Sequence, residues 1–252
     1  MTTMRPAEWP LPAKERIWRL SLFSLACGAA WMTRDLRWDV VWTTAPALLQ
    51  GLGISFLLAV TSVAAGMIAG MILAVARTSG PFGLRHLAIG YIEIVRAVPQ
   101  LMVIFWIFFT WPAVTGRGMS PWSAAFLSLT VIAAAYLAEV IRAGIESVPP
   151  IQKESAFVLG LSPFQAFMRV VLPQALRNML PALIATFVMM FKVTSLVYVV
   201  GIVDFFRAVV IINNREFAPY ALYTTLAVVY FACCWALSWL IRKLDPNYAL
   251  TS

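Results

Sequence analysis

Long apolar runs without Asp, Glu, Lys or Arg dominate this sequence. A helix rises 1.5 Å per residue, so about 20 apolar residues cross the hydrocarbon core of a bilayer. Six runs lie at Leu20–Thr33, Val40–Ala76, Ala97–Gly116, Gly118–Ala138, Asn178–Phe191 and Phe217–Ile241. The first is short, and the fifth reaches membrane length only if Lys192 lies inside the span. With 62% hydrophobic residues, the chain is predicted to be an all-α integral membrane protein.

The basic residues predict how these helices are oriented. If the runs cross alternately with both termini in the cytoplasm, twelve Lys and Arg residues lie on the cytoplasmic side and five on the outer side. That bias follows the positive-inside rule. The net charge of +8 is therefore explained by membrane topology, and we predict no binding to nucleic acid. The same topology places the connection after the fourth run in the cytoplasm.

That connection contains a helix-forming insert, Gln152–Pro173, which reads QKESAFVLGLSPFQAFMRVVLP. Gly160 stands where a left-handed residue would end a first helix. Ser162 can cap a second helix through a capping box with Gln165, and Pro173 is expected to help end it. The pattern predicts two short helices joined by a Gly-Leu turn. Such a pair could project as a rigid knob or lie as an amphipathic connector on lipid headgroups.

The spacing of the insert resembles the cytoplasmic EAA loop of ABC importer permeases. The matching order is Glu154-Ser155-Ala156, then Gly160, then Val170-x-Leu172-Pro173. In that family the loop acts as a coupling helix that inserts into a cleft on the ATPase subunit. The resemblance therefore favours the knob, and it implies an ATPase-docking loop made of Gln152, Lys153, Glu154, Ser155, Ala156, Gly160, Leu161 and Ser162.

Three further motifs resemble the polar amino acid uptake branch of these permeases, which serves histidine, glutamine, arginine or glutamate. The first has Tyr91, Glu93, Arg96, Pro99 and Leu101 in the order of the branch signature. The second runs from Ala134 to Pro149, and the third from Lys192 to Gly201. Val193 departs from the pattern, because the branch typically has Asp there. The resemblance covers residues 40–243.

The resemblance implies the fold and the domain boundaries. We expect a five-helix type I ABC importer permease core over 40–243, with the coupling loop at 147–173. Residues 17–33 are expected to form an extra N-terminal transmembrane helix, although a cleaved signal peptide is the alternative. Cytoplasmic tails are expected at 1–16 and 244–252. A multi-pass protein of the bacterial inner membrane follows from these assignments.

A stripe of small residues predicts where two helices approach closely. Ser62, Gly66, Gly70 and Ala74 recur every four residues in the second apolar run. Small side chains on one helix face allow neighbouring backbones to come close. We interpret the stripe as packing within the chain rather than as a dimer seam.

Ionisable residues at membrane depth are costly and therefore informative. Glu93 with Arg96, and Glu139 with Arg142, are each spaced to form an ion pair on one helix face, which we interpret as structural.

Lys192 has no acidic residue within ten positions of it in the sequence. It needs a carboxylate from another helix, a water-filled path or a bound anion, unless it snorkels to an interface. We take Lys192, with Thr194 and Ser195, as the candidate substrate pathway.

The chain carries no phosphate-binding P-loop, and we expect it not to be an enzyme and to hold no metal or cofactor of its own. The resemblance implies that ATP and magnesium are bound by a partner. The implied partners are an ABC ATPase dimer, a second permease chain (identical or different), an extracytoplasmic solute-binding protein and an amino acid. An ion-coupled secondary transporter is the alternative, although no motif is repeated as such carriers usually require.

Overall fold

The structure is a computed structural model that describes residues 36–244, together with Trp18, Ser21, Ser24 and Gly28. All regular elements of this described part are helical. The extra helix predicted over 17–33 lies outside the described residues, apart from those four. The predicted tails lie outside them too, except for residue 244.

Ten α-helices lie between residues 36 and 244. They are α1 Trp38–Thr43, α2 Ala45–Ser79, α3 Phe82–Ala97, α4 Gln100–Thr115, α5 Pro121–Glu146, α6 Pro150–Val158, α7 Pro163–Ala166, α8 Leu172–Val193, α9 Phe205–Glu216 and α10 Pro219–Leu244. A π-helical segment, Phe167–Val171, joins α7 to α8, and a 3₁₀ helix, Thr194–Val200, follows α8.

Four stretches of the described chain are long and apolar enough to cross a membrane: Ala45–Ser79, Pro121–Glu146, Pro163–Val200 and Pro219–Trp239. Helices α3 and α4 add a fifth if the bent pair counts as one span. This architecture agrees with the predicted five-helix core.

The third crossing is not one continuous helix. Helices α3 and α4 meet at an angle of 112°. Val98 between them has an extended conformation, with ψ 141°. A residue before proline avoids the helical region, so Pro99 forces the break.

Helix α5 occupies the centre of the bundle, and α2 packs along it. The stripe Ser62, Gly66, Gly70 and Ala74 is buried in this contact. A Cβ atom at Gly66 would lie 2.6 Å from the Cβ of Ala133 in α5. Only a residue without a side chain allows this approach, so the stripe is indeed used for packing within the chain.

The end of the bundle opposite the 147–173 loop is held together around α9. The Phe205 N–H donates to Ser55 Oγ of α2 at 3.2 Å. Arg207 donates to the Tyr198 carbonyl oxygen of the 3₁₀ helix at 2.7 Å. These bonds join α2, α9 and the 3₁₀ helix, so the segment that follows α8 has a defined position.

Candidate functional site

The turn in the 147–173 loop has the predicted conformation. Gly160 has φ +77° and ends α6 in the left-handed region. The Gly160 N–H donates to the Phe157 carbonyl oxygen at 2.9 Å, and the Leu161 N–H donates to the Ala156 carbonyl oxygen at 3.1 Å. This is the double hydrogen bond of a Schellman motif. The capping box between Ser162 and Gln165 is also confirmed.

The second helix of the loop does not end at Pro173 as predicted. Helix α7, the π-helical segment and α8 run on without interruption, and with the 3₁₀ helix they form one helical stretch, Pro163–Val200. Pro173 is the second residue of α8, directly after the π-helical segment, and its missing N–H falls where the hydrogen-bond pattern changes. Pro173 therefore marks the change from π-helical to α-helical hydrogen bonding, and the helical stretch does not end there.

The tip of the loop is apolar and exposed. Val158 is 88% exposed, Leu159 79% and Phe164 70%. Of the eight residues predicted for docking, Ala156 is buried, Lys153 and Leu161 are half-buried and the other five are exposed. An exposed patch of large apolar side chains next to polar ones is typical of a surface that contacts another protein.

Both ends of the loop are fixed to each other. The Asn178 side-chain amide of α8 donates to Ser147 Oγ at 2.8 Å, and Ser147 Oγ donates to the Gly144 carbonyl oxygen at 2.7 Å. Val148 and Val171 are each 2% exposed in the core beneath the loop. The knob therefore projects from a rigid base.

A cluster of charged side chains lies on α5 near that base. Arg77 at the end of α2 donates to Glu139 at 3.0 Å. Arg142 forms ion pairs with both Glu139 and Glu146 on its own helix. Arg96 approaches Glu139 at 4.0 Å. Glu139 thus joins three helices, a role that its spacing to Arg142 alone could not reveal.

The predicted ion pair between Glu93 and Arg96 does not form. Glu93 is exposed, and no ion pair to it occurs among the described residues. Arg96 turns instead toward α5, where its guanidinium lies 5.6 Å from the Tyr136 ring centroid. Helix α5 provides both a half-buried carboxylate, Glu139, and an aromatic ring, Tyr136, for Arg96. These contacts are stronger than an exposed ion pair with Glu93 on its own helix would be.

We predict that the two carboxylates respond differently to substitution. Glu139→Gln leaves Arg77 without its counter-charge, whereas Arg142 keeps Glu146, and it should destabilise the chain by about 2 kcal/mol, since the site is only partly buried. Glu93→Gln removes no contact and should change stability by less than about 0.5 kcal/mol. Thermal unfolding of both variants in the same detergent tests this. Equal melting temperatures would contradict the assignment.

Lys192 opens into a cavity of about 440 Å³ between α8 and α10. Ser195 lines the same cavity. The other lining residues are Phe206, Tyr223, Leu226, Ala227, Tyr230, Phe231 and Cys234. No ion pair to Lys192 occurs between residues 36 and 244, so its ammonium is available to a ligand in the cavity. The α10 residues were missed in the sequence, because they lie more than 25 positions from Lys192.

Thr194 is not part of the cavity surface. It is 0% exposed, and its hydroxyl donates to the Phe191 carbonyl oxygen at 2.8 Å. The 3₁₀ geometry has about three residues per turn, which turns Thr194 inward while Lys192 and Ser195 share one face. Thr194 therefore lies behind the cavity wall and does not face the predicted pathway.

Asp204 is a buried carboxylate that the sequence reasoning did not identify. It lies in the connection before α9, outside the candidate spans, and is 0% exposed. It caps α9 by accepting the N–H groups of Phe206 at 3.2 Å and Arg207 at 3.0 Å. Burial raises the pKa of Asp204 to about 6. An Asp before an apolar stretch signals a helix cap, but only packing reveals its burial.

Among the described residues, no group of three or more His, Cys, Asp or Glu side chains is arranged to bind a metal.

Residues 66–249 match the family described as the binding-protein-dependent transport system inner membrane component. The chain belongs to this family. Together with its apolar helices, membership identifies this inner membrane component as a multi-pass membrane protein.

Two relatives of this inner membrane component come from Escherichia coli. The glutamate/aspartate import permease protein GltK is 33% identical over 222 residues, which cover 85% of this chain and 99% of GltK. The glutamine transport system permease protein GlnP is 30% identical over 209 residues, which cover 82% of this chain and 95% of GlnP.

Solved structures of transporters also resemble it. A crystal structure of an amino acid ABC transporter with histidines has a TM-score of 0.77 and 30% identity, and the match covers 81% of this inner membrane component and 95% of that chain. The inward-facing MetNI methionine ABC transporter shares the fold, with a TM-score of 0.64 and 18% identity over 83% of this chain and 98% of that one.

Proposed function

We propose that this inner membrane component is the translocation subunit of an ATP-driven importer for amino acids. The observation that carries the proposal is the single helical stretch Pro163–Val200, which connects the projecting loop to the Lys192 cavity. The named cargoes of GltK and GlnP support an amino acid. A carboxylate is a chemical group that the ammonium of Lys192 can bind.

The proposed assembly contains two such subunits, of the same or different sequence, and two ATPase subunits that bind ATP and magnesium. An extracytoplasmic solute-binding protein delivers the cargo. The exposed apolar tip of the 147–173 loop is the surface that enters the ATPase, with both termini in the cytoplasm. The core covers residues 40–243, flanked by the extra helix at 17–33 and by the two tails.

Coupling follows from the connection between the two sites. When the ATPases close on ATP, they move the loop, and its rigid base transfers the displacement to α8. Because α8 leads directly into Lys192 and the 3₁₀ helix, the same displacement changes the wall of the cavity. Packed helix interfaces usually have two discrete arrangements, which correspond here to the inward-open and outward-open states.

Two adjacent cysteines provide a test of the cavity. Cys234 lines it, whereas Cys233 is not among its lining residues. The binding protein is present, and the amino acid mixture is used at a concentration that fills about nine-tenths of the cavities. Methanethiosulfonate modification of Cys234 should then slow about tenfold. Modification of Cys233 should continue at its original rate.

The measurement uses the assembled transporter with a single cysteine at 233 or 234 and the remaining cysteines replaced by Ala. Equal protection of both positions, or of neither, would contradict the cavity as the cargo site. Uptake that survives ATP depletion but collapses with the ion gradient would favour a secondary transporter.

A further inference from the structure

Tyr230 of α10 lies between the Lys192 cavity and the end of the bundle that is held together around α9. Its ring lines the cavity. The ring centroid is 5.4 Å from that of Phe191, the residue before Lys192, and 5.6 Å from that of Phe205, the first residue of α9. A shift of this ring would therefore change its packing against both α8 and α9.

The hydroxyl of Tyr230 is buried and has no hydrogen-bond partner among the residues that the structure describes. It lies beside the hydroxyls of Ser55 and Thr194, without hydrogen-bond geometry to either, and the Asp204 carboxylate is near enough to act on it electrostatically. A buried donor left unbonded is costly. The observed arrangement therefore lacks a hydrogen bond that a small displacement of α10 would form.

Of the two neighbouring hydroxyls, Thr194 is the better acceptor. Ser55 Oγ donates to the Gly51 carbonyl oxygen at 3.2 Å and already accepts the Phe205 N–H at 3.2 Å. Thr194 donates to its own helix and accepts no hydrogen bond from the described residues. A hydroxyl oxygen has two lone pairs, so both of those on Thr194 are free.

We propose that Tyr230 is a positioning residue for transport. Cargo in the Lys192 cavity displaces its ring, the hydroxyl then donates to Thr194, and α10 becomes fixed to the 3₁₀ helix. Binding of cargo thereby changes the packing at the end of the bundle that is held together around α9. The inference rests on the proposed function, because it takes the cavity as the cargo site.

The test compares variants of the assembled transporter in proteoliposomes, with its ATPase and binding protein, using a labelled mixture of the twenty common amino acids. Tyr230→Phe should reduce uptake about tenfold, the factor that one net hydrogen bond provides. Its melting temperature should not fall, because the hydroxyl it removes has no hydrogen-bond partner among the described residues. Tyr220→Phe on the same helix, where the side chain is exposed, should transport normally.

Thr194→Val should reduce uptake to the same extent, and the double variant should be no worse than either single variant, because both remove the same bond. Normal uptake by Tyr230→Phe, or additive losses, would overturn the positioning role. Lys192→Gln separates this failure from that of the proposed function. If Lys192→Gln loses uptake while Tyr230→Phe keeps it, only the positioning role is wrong, whereas normal uptake by Lys192→Gln overturns the cavity and both proposals.

Discussion

Gly160→Val is expected to reduce ATP-coupled uptake at least tenfold while the chain still inserts into the membrane. Gly160 has φ +77°, and no atom of the described residues lies within 4 Å of the position that a Cβ would take. The effect is therefore one of backbone strain alone. A left-handed conformation costs an ordinary L residue about 1–2 kcal/mol, and a β-branched residue is worse. The turn would open, and α6 would change its angle to α7.

Gly160→Asn is the matched control, because Asn tolerates the left-handed region and has open space around it. It should keep most of the uptake. The measurements are uptake into proteoliposomes and co-purification of the ATPase. If Gly160→Val supported uptake and ATPase association at the wild-type level, the 147–173 loop could not be the coupling element.

Gly66→Val is expected to prevent stable folding. Its Cβ would lie 2.6 Å from the Ala133 Cβ and 3.1 Å from the Ala134 backbone nitrogen. Overpacking of a core costs about 1–3 kcal/mol, and here the obstacle includes a backbone that cannot move aside, so about 3 kcal/mol or more is expected. Folded protein is measured as the monodisperse fraction of a fluorescent fusion on size-exclusion chromatography.

Gly53→Val on the same helix is the control. Gly53 is exposed, and a Cβ there would have no neighbour within 4 Å in the part of the chain that the structure describes. It should leave the monodisperse fraction close to that of the wild type. Equal losses for Gly53→Val and Gly66→Val would show that general helix propensity, rather than the contact between α2 and α5, causes the effect.

Local features of this chain were predictable because they depend on neighbouring residues. The capping box at Ser162 and the left-handed Gly160 follow from side-chain chemistry within one helix turn, and the structure confirms both. The small-residue stripe predicts close helix packing because Gly66 and Gly70 let another backbone approach, and the structure shows that the partner is α5 of the same chain. Pro173 was misjudged, since a proline in a first turn can begin a helical segment as well as follow one.

Contacts between distant segments could not be predicted in the same way. The spacing of Glu93 and Arg96 permits a pair, but whether it forms depends on what α5 presents to Arg96. Thr194 looked like a pathway residue because it stands two positions from Lys192. Its actual direction depends on the 3₁₀ geometry after α8, which the sequence does not specify.

The membrane class and the family resemblance are properties that the amino-acid sequence specifies, and the resemblance in turn implies the five-helix core. These follow from apolar length and from motif spacing, which are properties of a linear chain in lipid. Only the folded arrangement shows that Glu139 joins three helices, that α10 completes the Lys192 cavity and that the Tyr230 hydroxyl has no hydrogen-bond partner among the described residues. Such features depend on the relative placement of helices that are far apart in the sequence, and that placement is set by the packing of whole helix faces.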